Sequence, residues 1–236
     1  AGPKQHAELS EVIIERLQHL YQWQVQVEDL VFIPGVVDGF NLACHVVATQ
    51  GGGVLEQTPV YHPILRAPEQ AGLLRQEAAL VPTSSLHYEI DWDDFEAAIT
   101  EQTRLFILCN PHNPVGRVFT RDELARMAGI CLAHKVLICS DEIHCDLVYP
   151  GNAHIPIASL DPQIARQTIT LMAPSKTFNI PGLKFAFAVI QDAELRQRYL
   201  KASRGLVGWV NLLGLIAALA AYRDSQGWLD EVLALA

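Results

Sequence analysis

The chain has 236 residues, of which half are hydrophobic and 18% are charged, and its formal net charge is −9. This length fills one large α/β domain, and the composition supports a sizeable core and disfavours global disorder. The negative charge, together with the lack of a basic stripe interleaved with aromatic residues, disfavours nucleic-acid binding as the main activity.

The first half of the chain alternates helix and strand patterns. Residues 8–20 have apolar side chains at helical spacing and predict an amphipathic helix. "DLVFIPG" then predicts a short strand that ends at a Pro-Gly break, and "VVDGFNLACHVVAT" predicts the next helix. "GGGVLEQTP" repeats the pattern of loop, strand and break, whereas residues 62–90 give a weaker signal.

The second half of the chain continues the alternation. "DWDDFEAAI" predicts a short helix whose first turn is acidic, and "TRDELARMAGICLAHK" predicts a longer helix that begins with Thr120 and Glu123 in capping-box spacing. A further helix is predicted over residues 192–203, beginning at Asp192. The apolar runs predict four strands: "RLFILCN", "VLICSDE", "QTITLMA" and "KFAFAVI".

Continuous apolar strands alternating with capped helices are typical of a three-layer α/β/α fold with a mostly parallel, mixed central sheet. We predict one large domain over residues 1–205, with residues 206–236 as its helical end. Residues 206–222, "LVGWVNLLGLIAALAAY", carry no charge and reach the short limit of a membrane span. Because this stretch contains Gly208, Asn211 and Gly214, a buried core helix or subunit-interface helix is the better interpretation.

The cysteines and the first residues of the sequence give indications of the cellular compartment. The number of cysteines is odd and most lie within apolar runs, which favours free thiols in a reducing cytosol over a disulfide framework. The opening "AGPKQHAELSEVI" lacks the apolar segment of a signal peptide. We therefore expect a cytoplasmic protein that is not inserted in a membrane.

Polar residues follow several of the predicted strands. Asn110 and Asn113 follow "RLFILC", Asp141 and His144 follow "VLICS", and Lys176 follows "TITLM". In open α/β sheets, ligands bind beyond the carboxyl ends of the strands. An amide, a carboxylate, an imidazole and an amine are therefore expected at one rim. The helix after "FIPG" would direct its free N–H groups to the same rim, where they favour a phosphate.

Each of these residues also has a structural interpretation. Asn-Pro pairs are common turn formers, Asp141 could cap a turn, His144 could lie in the core, and Lys176 could be a solvated loop residue. The arrival of polar groups from three separate strands at one edge favours a functional site.

The sequence disfavours two other kinds of site. The C-x-x-H pairs Cys109–His112 and Cys131–His134 leave a zinc site open, but these cysteines fall in buried-strand or mid-helix patterns and no compact knuckle is present. No G-x-S-x-G elbow is present, which disfavours a Ser-His-Asp hydrolase.

Several stretches, taken together and in order, resemble a known family: "VFIPGVV", "QTPVYHP", "CNPHNPVGRVFT", "SDEIHCDLVY", "SKTFNIPGLK" and "AAYRDSQGWL". The chain resembles the fold-type I pyridoxal-phosphate (PLP) enzymes of the class I/II aminotransferase superfamily. It is most similar to their cystathionine β-lyase, or C–S lyase, branch, whose large domain has the predicted fold.

The resemblance implies a role for each rim residue. Lys176 would bind PLP covalently and later move the substrate α-proton, and Asp141 would pair with the pyridine nitrogen. Asn113 would hydrogen-bond the phenolic oxygen of the cofactor, and Tyr61 would stack on its ring. His144 occupies the place of a tyrosine in many relatives, and the sequence D-E-I-H favours the lyase branch.

The same resemblance implies a phosphate site. The backbone of Val36 and Val37 would meet the phosphate, Lys184 would be its cation, and Ser175 would also contact the cofactor. Many relatives carry arginine in place of Lys184, and Ser or Thr in place of Ala173, so we expect weaker phosphate binding here, by roughly 1 kcal/mol for the missing hydroxyl.

The function implied is a PLP-dependent C–S β-lyase that acts on cystathionine or a related sulfur amino acid. An aminotransferase on the same scaffold is the alternative, and a homodimer is the expected assembly. Family members also have an N-terminal segment and a small C-terminal domain with an arginine for the substrate carboxylate. No residue of this sequence can be assigned that arginine's role. We therefore expect either a piece of a longer enzyme or a truncated, non-catalytic domain.

Overall fold

The computed structural model describes residues 3–83 and 87–235. Within these residues one sheet of eight strands runs through the molecule, in the order β1-β8-β7-β6-β5-β2-β3-β4. The strands are β1 (Leu30–Ile33), β2 (Gly53–Thr58), β3 (Leu74–Pro82), β4 (Tyr88–Ile90), β5 (Thr103–Cys109), β6 (Leu137–Asp141), β7 (Thr168–Met172) and β8 (Ala186–Val189).

Ten α-helices are described in the same ranges, with short 3₁₀ turns at Val27–Asp29, Ile157–Ser159 and Pro181–Leu183. The helices are α1 (Pro3–Tyr21), α2 (Val36–Ala48), α3 (His62–Gln70), α4 (Trp92–Ala97), α5 (Arg121–Ala133), α6 (Pro162–Arg166), α7 (Pro174–Thr177), α8 (Ala193–Ser203), α9 (Leu212–Asp224) and α10 (Gln226–Leu235).

The sheet is mixed, and its central strands are parallel, as the sequence predicts. Strand β2 pairs in parallel with β3 and β5, and the parallel ladder continues through β6 to β7. Strands β8, β1 and β4 are antiparallel to their neighbours. These five parallel strands therefore end at one edge of the sheet.

Helices cover both faces of the sheet, which confirms the predicted three layers. Alternate side chains of β5 show why both faces must be covered. Leu105 and Ile107 belong to the core beneath α2, α3 and α8, whereas Phe106 and Leu108 belong to the core beneath α4 and α5. On this second face, α1 and α9 pack over β7 and β8. A strand that is buried on both sides reads as a continuous apolar run.

The predicted helix caps are present in the structure. The Thr120 hydroxyl accepts a hydrogen bond from the Glu123 N–H, and the Glu123 carboxylate accepts one from the Thr120 N–H in return. Asp192 caps α8 by accepting from the Leu195 N–H at 2.8 Å. These local bonds satisfy N–H groups that a helix start leaves without partners.

The prediction of one helix over residues 206–222 is wrong for its first part. Helix α9 begins only at Leu212, because the Asn211 side chain caps it by accepting from the Gly214 N–H at 2.8 Å. The Asn211 side chain also donates to the carbonyl of Leu183 at 2.9 Å. Residues 206–211 lie outside any helix, and Trp209 among them is 99% exposed. None of the described helices is long and apolar enough to cross a membrane.

The region 62–90 contains a helix and two strands that the sequence signal did not resolve. Most side chains of β3 are exposed or only partly buried, which removes the apolar run that marks the other parallel strands. Residues 84–86 of this region lie outside the described residues. The five cysteines are all buried and free, in agreement with the prediction: Cys44, Cys109, Cys131, Cys139 and Cys145.

Candidate active site

A cavity of about 220 Å³ lies at the carboxyl ends of the central strands. All nine residues that the sequence analysis selected for the cofactor line it. They are Val36, Val37, Tyr61, Asn113, Asp141, His144, Ser175, Lys176 and Lys184.

The register of the sheet explains why residues distant in sequence meet here. Cys109, the last residue of β5, pairs with Asp141, the last residue of β6, and Asp141 pairs with Leu171 near the end of β7. Three neighbouring strands therefore end at nearly the same level. The loops that follow them carry Asn113, His144 and Lys176 to a common rim.

Asp141 is the most buried carboxyl group of the cavity, with 4% of its surface exposed. Its Oδ1 accepts a hydrogen bond from the Ile143 N–H at 3.1 Å. Burial raises the pKa of this carboxyl to about 7, with a smaller contribution from the neighbouring Glu142, while the Ile143 N–H and Lys176 act in the opposite direction. A carboxylate in this setting gains from any cation that enters the cavity.

A buried network lies behind Asp141 and supports its strand. The Glu142 carboxylate is completely buried, accepts from the Ser140 hydroxyl at 2.8 Å and is hydrogen-bonded to His154 Nε2 at 2.8 Å. The Ile157 N–H donates to it as well, at 3.2 Å. This network joins the end of β6 to the loop around His154, and so fixes the backbone from which Asp141 projects.

Lys176 lies on α7, a helix of one turn that begins immediately after β7. Its side chain is exposed to the cavity and, within the described residues, takes part in neither an ion pair nor a hydrogen bond. An amine without a protein partner is free to react with a ligand.

His144 and Asn113 both line the cavity. His144 is partly buried, and burial lowers the pKa of its imidazole, with a further contribution from Lys176. The Asn113 N–H donates to the Cys109 thiol at 3.5 Å, and Asn113 lines the cavity. Tyr61, 37% exposed, also lines the cavity, as the N-cap of α3.

The start of α2 forms another wall of the cavity. Gly35 is the N-cap, so no side chain at this position covers the first N–H groups of the helix, and Val36 and Val37 line the cavity. Burial raises the pKa of the Asp38 carboxyl in this first turn, while the nearby Lys184 acts to lower it. Lys184 is therefore close enough to α2 to add positive charge to the helix N-terminus.

The predicted position of Lys184 within a strand is wrong. Strand β8 begins at Ala186, and Lys184 instead ends the turn Pro181–Leu183 with φ of 53°. Its left-handed conformation interrupts the extended backbone that "KFAFAVI" indicates.

Asn110 does not line the cavity, although the sequence analysis expected it at the rim. Its side chain is completely buried, and its Oδ1 accepts from the Phe119 N–H at 3.1 Å. Asn110 therefore shapes the loop that carries Asn113. Among residues 3–83 and 87–235, no group of three His, Cys, Asp or Glu side chains could hold a metal ion.

Several residues of the cavity wall were not predicted to line the site, notably Asp38, Cys109 and Phe185. Burial raises the pKa of the Cys109 thiol, which therefore lines the cavity in its neutral form. The place of Asp38 in the cavity wall could have been predicted, because Asp38 lies in the first turn of the helix that was expected to bind a phosphate.

Together the fold and the cavity define an α/β protein with a strand-end site that offers an amine, a buried carboxylate, an amide and a helix N-terminus. The model of the family "Aminotransferase class I and II" matches residues 1–235. The chain belongs to this family.

Individual relatives agree with this assignment. The cystathionine beta-lyase PatB of Bacillus subtilis is 37% identical over 226 residues, which cover 92% of this chain and 56% of PatB. The crystal structure of OvoB has a TM-score of 0.93 and 43% identity, over 97% of this chain and 60% of OvoB. The PLP-bound C–S lyase of Staphylococcus hominis has a TM-score of 0.90 and 33% identity, over 97% of this chain and 56% of that chain. The chain thus spans little more than half the length of these relatives.

Proposed function

We propose that this protein is a PLP-dependent C–S β-lyase that acts on cystathionine or a related sulfur amino acid. The observation that carries the proposal is the meeting of the Lys176 amine and the buried Asp141 carboxylate in one cavity, at the N-terminus of α2. The names of PatB and of the Staphylococcus hominis enzyme support a lyase, and the PLP-bound state of the latter supports the cofactor.

The residues of the cavity fit PLP. Asp141 is buried and has a backbone N–H donor, but none of the described residues gives it a cationic hydrogen-bond partner. A protonated pyridine nitrogen would supply that partner, and Asp141 in return would hold the proton on the ring. The α2 N–H groups and Lys184 would meet the phosphate, with Ser175 beside them.

When bound, PLP supplies an electron sink for the charge that remains after the substrate loses its α-proton. The residues of this chain would bind the group and move protons. The Lys176 amine would attach to the cofactor aldehyde carbon with loss of water and, once displaced by the substrate amine, would take the α-proton. Departure of the β-thiolate then leaves a product that water converts to pyruvate and ammonia.

The remaining side chains would orient the cofactor. Asn113 would donate a hydrogen bond to its phenolic oxygen, and the ring of Tyr61 would pack on its face. Burial and Lys176 both lower the pKa of His144, so its imidazole is neutral at neutral pH and can accept or donate a hydrogen bond near the same oxygen.

An aminotransferase is the second candidate, because the family that matches the chain is described by that activity. The two reactions use Lys176 in the same way up to the removal of the α-proton. They diverge in whether a β-substituent leaves or the proton returns to the cofactor carbon. A domain that binds PLP without turnover is the third candidate.

Incubation of the PLP-loaded protein with cystathionine separates these functions. A lyase releases pyruvate without an added keto acid, and Lys176→Ala abolishes the release. Lys201→Ala is the matched control, because Lys201 is exposed on α8, away from the cavity. Strict dependence on a keto acid would assign an aminotransferase, and cofactor binding without either reaction would assign a non-catalytic domain.

We also propose that the protein forms a homodimer in the cytoplasm. Exposed apolar side chains near the start of α9, including Trp209 and Leu213, would be covered at a subunit interface. Five free, buried cysteines are consistent with a reducing compartment. Light scattering of the purified protein tests the dimer.

A further inference from the structure

A buried carboxylate behind the cavity joins α7, the helix of Lys176, to the N-terminal helix α1. Asp146 Oδ1 forms an ion pair with Arg16 Nη2 at 2.8 Å, and its Oδ2 accepts from the Thr177 hydroxyl at 2.8 Å. The exposed fraction of the Asp146 side chain is 6%, and Thr177 is 1% exposed. Both oxygens of one carboxylate are therefore engaged, each by a different helix.

Arg16 is itself held in place by the C-terminal helices. Its guanidinium carbon lies 5.2 Å from the centre of the Tyr222 ring, and Nη1 donates to Gln226 Oε1 at 3.2 Å. Burial acts to lower the pKa of Arg16, but Asp146 more than offsets it, so the pKa is raised and the charge persists. The carboxylate of Asp146 thus has a fixed position relative to α1 and α9.

Helix α7 has few other restraints from side chains. It contains four residues, and its N-cap Ala173 has no side chain that could cap the helix. Among the described residues, the bond from Thr177 to Asp146 is the one side-chain hydrogen bond that α7 makes. Because Thr177 follows Lys176 directly, this bond sets the orientation of the peptide that carries the reactive lysine.

We propose that Asp146 and Thr177 are positioning residues for Lys176. Neither residue lines the cavity, so they act through the backbone of α7. The bond keeps the turn in one orientation, from which the Lys176 amine projects into the cavity. This inference rests on the proposed function, in which Lys176 attaches to the PLP aldehyde. A reactive group gains rate when its supporting residues hold it near the productive geometry.

The test compares two buried threonines that differ in their neighbours. Thr177→Val removes the hydroxyl bonded to Asp146. Thr168→Val is the matched control, since Thr168 is also 1% exposed and donates to the Ile164 carbonyl at 2.7 Å, but lies at the opposite end of β7. Thr177→Ser restores the hydroxyl, and keeps the test open if the valine variant does not fold.

Hydrogen exchange of the cofactor-free protein is the first measurement. Thr177→Val is expected to lower the protection of the peptide that contains α7, whereas Thr168→Val and Thr177→Ser leave it unchanged. The second measurement is the rate at which added PLP becomes trappable on Lys176 by borohydride. Thr177→Val is expected to lower this rate about tenfold relative to wild type, and Asp146→Asn to lower it as well.

Two results would overturn the inference: equal behaviour of the valine variants at positions 177 and 168, or slow trapping in Thr177→Ser. Failure of the proposed function gives a different result, because wild-type protein would then not be trapped on Lys176 at all. The hydrogen-exchange comparison still reports on positioning in that case, since it requires no cofactor.

Discussion

Replacement of Asp141 by Asn is expected to stabilise the cofactor-free protein at alkaline pH, while it removes the carboxylate that we propose as the partner of the pyridine nitrogen. Burial raises the pKa of this carboxyl from 3.8 to about 7. Between about pH 4 and pH 7 the folded state therefore keeps a proton on Asp141 that the unfolded chain has already released. The contribution of this carboxyl to the free energy of unfolding is most favourable below about pH 4 and is lost as the pH rises to about 7.

The size of the effect follows from the two pKa values. A tenfold change in proton affinity is worth about 1.4 kcal/mol, so the charged carboxylate costs up to ~4 kcal/mol above pH ~7. Asn keeps the oxygen that accepts from Ile143, but its buried amide group needs a new partner, at a cost of about 1–2 kcal/mol. We expect a net gain of about 2 kcal/mol at pH ~8 and no gain at pH ~4.

Urea unfolding of the cofactor-free variant and wild type at these two pH values measures the difference. Asp93→Asn is the matched control, because Asp93 is exposed on α4. Its stability relative to wild type should not change with pH. If Asp141→Asn shows the same lack of pH dependence, the carboxylate of Asp141 is not destabilised by burial, and the electrostatic argument for a cationic ligand fails.

Three further changes test the phosphate site and the packing beneath it. Lys184→Arg should tighten PLP binding several-fold, because a guanidinium can bind a phosphate through two N–H groups; unchanged affinity in a fluorescence titration would argue against contact. Ala173→Ser should tighten PLP binding about fivefold, the worth of one added hydrogen bond, unless the hydroxyl cannot reach the phosphate. Gly39→Ala should cost about 1–3 kcal/mol in urea unfolding, since the new Cβ would lie 2.8 Å from the Ile33 Cδ1 and Leu171 Cδ2 atoms; equal stability would show that these side chains give way.

The strand-end residues could be predicted because they depend on local sequence and one general rule. A buried strand of a parallel sheet is a continuous apolar run, so its end is visible where the polar residue begins, as at Asp141. Helix caps are similarly local, which is why Thr120 and Asp192 were recognised. The strand pattern predicted only that these residues lie at one edge of the sheet. Their individual roles were implied by the resemblance to the PLP enzymes.

Features that depend on backbone conformation or on distant partners were not predictable in this way. Lys184 has a left-handed conformation that its sequence neighbours do not specify. Asn211 lies inside an apolar run that was predicted as one helix, and α9 begins only after it because its side chain caps the helix. The pair of Arg16 and Asp146 joins residues 130 positions apart, and only the tertiary structure brings them together. The same holds for the Glu142 and His154 pair, because neither residue follows a pattern that marks a buried hydrogen bond between side chains.

Borohydride reduction of the chain in the presence of PLP, followed by mass spectrometry of its peptides, tests the central claim most directly. We predict one stable pyridoxyl adduct, located on Lys176 of the peptide "SKTFNIPGLK" and not on Lys184. An adduct spread over several exposed lysines, or no adduct at all, would contradict the assignment of Lys176 as the residue that binds the cofactor.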